Sequence, residues 1–177
     1  MRIWLNNQMT ERKPCNVALY SGVMSELYDT SWNAKLDFDE VRFFKSLIGK
    51  GKALEIATGT GRLTLPLLQE GVDLYGIEGA SSSMLEKLFE KLEQEQQSRF
   101  ILWNALQYPF PAAPETFSAI IVPYCTFGLL HNGVENHGDN SLIKEFFRLL
   151  KPKGQVVIND FRTEPLDKES IETLNDH

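Results

Sequence analysis

The 177-residue chain is short of several features, and each shortage excludes a class of function. Cysteine occurs only as Cys15 and Cys125, with no CxxC spacing, which indicates neither a disulfide framework nor a thiolate metal site. Both read as small, partly buried side chains. No apolar run approaches the roughly 18 residues that cross a bilayer. The N-terminus lacks the basic flank and apolar stretch of a signal peptide, so the expected location is cytoplasmic, with no membrane partner. Basic side chains are outnumbered, 18 against 24 acidic ones, for a net charge of −6. A protein that neutralises several phosphates needs a basic face, and none is visible. The expected partner is therefore a small-molecule substrate and not nucleic acid. His131 and His137 with Asp139, in a glycine-rich stretch, are too sparse to indicate a metal site, and no metal is expected. His131 alone is a candidate general base. Repeats, low-complexity tracts and linkers are also missing, which implies one domain over 1–177: a helical N-terminal segment 16–48, an α/β core 52–160 and a short tail 161–177.

What is present is an alternation of strand and helix patterns. Apolar runs at 52–57, 72–78, 99–103, 117–124 and 155–160 read as five strands. Between them, 62–70, 81–97 and 141–150 carry helical spacing, with Ser81–Ser83 available as caps and Met84, Leu85, Leu88 and Leu92 on one stripe. Residues 108–116, with three prolines, and 128–140 read as loops. Two further helices are expected at 16–31 and 37–48. This order predicts an α/β fold with a doubly wound, mostly parallel Rossmann-like sheet and strand order 3-2-1-4-5.

Open sheets of this kind bind ligands at the carboxyl ends of their strands. The first such loop here is Glu55-Ile56-Ala57-Thr58-Gly59-Thr60-Gly61-Arg62, whose glycines permit a tight turn and a close ligand approach. The next strand ends in Glu78, where an acid can accept hydrogen bonds from both hydroxyls of a ribose. A nicotinamide fingerprint would place a third glycine at position 64, which is threonine. A carboxylate at Glu55 would also repel a pyrophosphate, whereas it suits a ligand with an ammonium and a sulfonium.

The segments ALEIATGTGRLTLPLLQEGVDLYGIE, SML, NALQYPF, FSAIIVPYCTFGLL and LLKPKGQVVI together resemble the class I S-adenosylmethionine-dependent methyltransferases. The resemblance implies S-adenosylmethionine as cofactor. Glu55, Gly59 and Gly61, with Ala57, Thr58 and Arg62 of the same loop, would wrap its methionine part. Glu78, followed by Gly79, would hold the ribose. Met84, Asn104, Ala105 and Leu106 would border the adenine. The segment from Pro123 and Tyr124 to Phe127 would border the methyl group, and Tyr28 would lie against the cofactor from the N-terminal helix. Two departures stand out: Ala57 replaces the family's first glycine, and Asn104 replaces an aspartate. The implied activity is methyl transfer to a small-molecule acceptor, with no catalytic residue assigned. The alternatives are a catalytically silent cofactor-binding module or truncated fragment acting with a partner, and a nicotinamide-dependent oxidoreductase, which Glu55 and Thr64 disfavour. The family sheet ordinarily continues into an antiparallel hairpin, which residues 161–177 are too short to supply. The expectation is therefore either that a longer parent protein supplies the hairpin or that the chain self-associates through the exposed edge of the fifth strand.

Overall fold

A computed structural model describes residues 20, 22–31, 39–79, 81–124, 126–127, 130 and 141–159. Cys15, Cys125, His131, His137, Asp139 and the tail 161–177 lie outside the described residues. In chain order the elements are α1 (Val23–Ser31), α2 (Glu40–Ile48), β1 (Lys52–Ile56), α3 (Thr64–Gln69), β2 (Asp73–Glu78), α4 (Ser82–Phe89), α5 (Gln94–Gln97), β3 (Phe100–Leu102), β4 (Phe117–Val122), α6 (Ser141–Leu149) and β5 (Leu150–Ile158).

The five strands form one sheet in the order β3-β2-β1-β4-β5, and every pairing is parallel, as the strand–helix alternation predicts. Alternate side chains along each strand divide the core between the sheet's two faces. Leu54, Ile56, Ile120 and Val122 pack with Phe146 and Leu149 of α6 on one face. Ala53, Leu74, Ala119 and Ile121 pack with Phe44 and Ile48 of α2 and Leu67 of α3 on the other. Leu85 and Leu88 of α4, with Leu92, cover Phe100 of β3.

The elements differ from the sequence reading at several ends: the helices expected at 16–31 and 37–48 are α1 from Val23 and α2 from Glu40. The helix expected over 81–97 is two helices, because Glu93 starts α5 with a reciprocal capping box to Gln96. The helix expected from 62 begins at Thr64. The last strand begins at Leu150, not at 155: Leu150 pairs with Phe117, and a register shift between Phe117 and Ala119 absorbs the Lys-Pro-Lys-Gly segment, where Lys153 takes a φ of 66°. Among the described strands β5 is paired only with β4.

Candidate active site

The carboxyl ends of β1, β2, β3 and β4 converge on one cavity of about 990 Å³, counted with its open mouth. Every residue expected to bind the cofactor lines it except Gly61. Gly61 sits behind the loop at a φ of 95°, where a Cβ would lie 2.5 Å from Leu88 Cδ1. Its glycine serves the packing of the loop against α4.

Glu55 comes from β1 and is 1% exposed. The Thr64 hydroxyl, one turn into the loop–helix junction, donates to its Oε2 at 2.7 Å. Burial pushes the Glu55 carboxyl up to about 8; the charges of Glu78 and Glu40 act the same way, while the Thr64 bond and Arg62 act against it. Glu78 ends β2, is also 1% exposed, and accepts the Gly59 amide N–H at 2.7 Å through Oε2. That bond ties the glycine loop to the second strand. Gly59 holds a φ of 57°, and a Cβ there would lie 3.6 Å from Met84 Cε and 3.9 Å from Tyr28 Cε1. The loop thus passes α1 and α4 at a distance where a Cβ would make ordinary van der Waals contact, and the positive φ is what favours glycine there. Ala57 takes a φ of 62°, so the residue in the family's first glycine position adopts the conformation that glycine would favour. The Thr58 hydroxyl oxygen is buried with no hydrogen-bond partner among the described residues.

Arg62 is the only lysine or arginine on the cavity wall among the described residues. Its Nη2 donates to Glu40 of α2 at 3.1 and 3.3 Å, and its guanidinium carbon lies 3.3 Å from the centroid of the Tyr124 ring. The Tyr124 hydroxyl donates to the same Glu40 carboxylate, and Tyr124 holds a φ of 54°. Three side chains from α2, the first loop and the end of β4 therefore form one stacked, hydrogen-bonded wall. Asn104 makes an Asx turn, its Oδ1 accepting the Leu106 N–H at 2.9 Å. Gly79 lets that turn approach the end of β2, since a Cβ there would lie 2.8 Å from the Trp103 carbonyl oxygen.

The cavity also takes in Thr126, within the segment expected to border the methyl group, and Tyr20, Leu63 and Leu130, which the sequence reading does not single out. Neither does it foresee Glu40 and Thr64 as partners of Arg62 and Glu55. These contacts span 22 and 9 residues of chain and carry no local signal, although Glu40 sits behind the recognisable cap Asp39, whose side chain accepts the Arg42 N–H. No cluster that could hold a metal occurs among the described residues. No described helix is long and apolar enough to cross a membrane.

Residues 53–154 match the methyltransferase domain family. The chain is 34% identical over 121 residues to an uncharacterized methyltransferase of Geobacillus kaustophilus, covering 67% of this chain and 52% of that one. It is 35% identical over 108 residues to a demethylmenaquinone methyltransferase of Bacillus licheniformis, covering 59% and 42% respectively. The chain thus spans about half the length of the curated relatives it matches. Among solved structures, a phosphoethanolamine N-methyltransferase of Haemonchus contortus, in complex with phosphomonomethylethanolamine and S-adenosylhomocysteine, superposes with a TM-score of 0.64 at 19% identity. That match covers 97% of this chain and 41% of the other, and it is a likeness of fold. This chain belongs to the methyltransferase domain family, and its fold is that of the class I S-adenosylmethionine-dependent methyltransferases.

Proposed function

We propose that this protein transfers a methyl group from S-adenosylmethionine to a small-molecule acceptor. The observation that carries this reading is the pair Glu55 and Glu78, two carboxylates each 1% exposed on the wall of one cavity. Burying a carboxylate is costly, and a ligand that brings cationic or hydroxyl donors into the cavity offsets that cost. The donors and acceptors fit the proposed cofactor group by group. Glu55 suits the ammonium of the amino-acid part, and Arg62 its carboxylate. Glu78 suits the ribose hydroxyls, while Met84, Ala105 and Leu106 offer an apolar border to the adenine. The orphaned Thr58 hydroxyl is a further polar group that a ligand could satisfy.

The sulfonium supplies a methyl group already activated for in-line displacement. The chain's own task is to orient the two reactants and exclude water. Tyr28, Pro123 and Tyr124 border the end of the cavity where that alignment takes place, and Arg62 and Glu40 hold Tyr124 rigid there. Tyr20, Leu130 and Leu106 complete a largely apolar, aromatic lining, which favours a small acceptor with an apolar or aromatic body. The activity named for the Bacillus licheniformis relative agrees with an acceptor of that class. Isothermal calorimetry tests the cofactor reading. The expected outcome is micromolar binding of S-adenosylhomocysteine, about −8 kcal/mol, with no comparable response to NAD. Tight NAD binding without a response to S-adenosylhomocysteine would overturn it.

A further inference from the structure

We propose that Asp29 is a positioning residue: its carboxylate clasps the glycine loop and the end of α4, and so seats α1 as the cover of the cofactor cavity. The inference rests on the cofactor reading above and extends it to the control of ligand residence.

Asp29 lies on α1 directly after Tyr28, a cavity-wall residue. Its Oδ1 accepts the Thr60 hydroxyl at 2.5 Å, and its Oδ2 accepts Lys91 Nζ at 2.5 Å. Lys91 Nζ also donates to the Thr60 carbonyl oxygen at 3.0 Å, closing a three-membered network. The network joins the N-terminal helix, the centre of the Gly59-Thr60-Gly61 turn and the residue two past the end of α4. Burial works against the Asp29 charge, but the bonds from Lys91 and Thr60 outweigh it and hold the carboxyl below its usual range.

The reason to assign this network a task is what α1 otherwise lacks. None of its side chains joins the three apolar clusters of the core among the described residues. Val23, Met24 and Leu27 are exposed, so little hydrophobic attachment holds the helix down. A peripheral helix of nine residues is not stable alone, and tertiary contacts must place it. The clasp supplies those contacts at the point where they matter, because Tyr28 approaches Gly59 in the loop that Thr60 anchors. Opening the clasp lifts Tyr28 from the loop and opens the cavity mouth. Closing it traps whatever lies beneath. Dissociation of the ligand is therefore the step that Asp29 governs.

Surface plasmon resonance with S-adenosylhomocysteine on the immobilised full chain separates the rates. Asp29→Asn and Lys91→Met should each raise the dissociation rate constant about tenfold and change the association rate far less. The double variant should dissociate no faster than the quicker single one, since either change breaks the same network. Amide exchange should speed up in α1 while β1, β2 and β4 keep their protection, which distinguishes an opened clasp from a damaged fold. If the parent binds and Asp29→Asn dissociates at the parental rate, the clasp has no such role and the inference falls alone. If the parent does not bind S-adenosylhomocysteine, the cofactor reading falls and this inference falls with it.

Discussion

A carboxyl group held at about 8 makes ligand binding a proton-linked event, and Glu55 offers that linkage in measurable form. At pH 7 such a group is ionised in only about a tenth of empty molecules, and at pH 6 in about a hundredth. An ammonium placed against it requires the ionised form. The affinity for S-adenosylhomocysteine should therefore rise about tenfold from pH 6 to pH 7, rise further to about pH 8, and then level off. Close to one proton should be released per ligand bound at pH 7, which calorimetry in buffers of different ionisation enthalpy reads directly. Two controls isolate the group. 5′-Methylthioadenosine has no amino-acid part and should bind without this pH dependence. Glu55→Gln should bind S-adenosylhomocysteine weakly and at a pH-independent affinity. Folding carries the opposite sign. The folded chain keeps the Glu55 proton up to about 8, whereas an unfolded one releases it near 4.5, so the folded state holds more protons in between. The contribution of Glu55 to stability is thus full below about 4.5 and is lost as pH rises through about 8, and Glu55→Gln should flatten that decline. An S-adenosylhomocysteine affinity that stays constant from pH 6 to pH 8 in the parent would refute the reasoning.

Other perturbations have equally definite outcomes. Glu78→Ala should cost about 2–3 kcal/mol of S-adenosylhomocysteine affinity in calorimetry, because it removes the proposed ribose acceptor and frees the Gly59 amide. Gly76→Ala should destabilise the chain by about 1–3 kcal/mol in denaturant titration, since its Cβ would lie 2.2 Å from Thr58 Cγ2 and 2.8 Å from Phe100 Cδ1. Ala57→Gly should leave stability unchanged or raise it by up to about 1 kcal/mol, because relief of the left-handed strain offsets the added backbone entropy of the unfolded chain. For the unpaired side of β5, sedimentation should show concentration-dependent self-association, reduced by Val156→Lys; a monodisperse chain at all concentrations would exclude that edge as an interface.

The sheet was legible from residues because its strands are short apolar runs separated by glycine and proline signals, and the parallel order followed from the helices between them. Element ends were harder. Residues 90–93 are Glu, Lys, Leu and Glu, good helix formers that give no local warning of the break between α4 and α5. The capping box between Glu93 and Gln96 makes the break, and the Gln97 side chain secures it by donating to the carbonyl oxygens of Phe89 and Leu92. The start of β5 was hidden for the converse reason: Lys-Pro-Lys-Gly reads as a turn, and only pairing of Leu150 with Phe117 draws it into the strand. At the site, the acids and glycines on β1 and β2 could be placed because a strand end and its following loop are local features. Thr64 illustrates the limit. In the sequence it counts only as a missing glycine, whereas folded it is the hydroxyl that holds Glu55.

The two strands at the centre of the sheet, β1 and β4, are each followed within two residues by a left-handed non-glycine side chain, Ala57 and Tyr124. Each such residue is stabilised by its surroundings and not by its own preference. The two most buried acids of the sheet, Glu55 and Glu78, lie at the same end, on β1 and its other neighbour β2. Conformational strain and buried acidic groups are thus concentrated at one end of an otherwise conventional core, and substitutions that relax either one are available nearby. A more stable version of this chain is consequently easy to reach, at the expense of the very end of the sheet where the ligand is read. Selection for thermostability without selection for binding should therefore gather its first changes at positions 55, 57 and 124, and the loss of ligand affinity in such variants should precede any loss of fold.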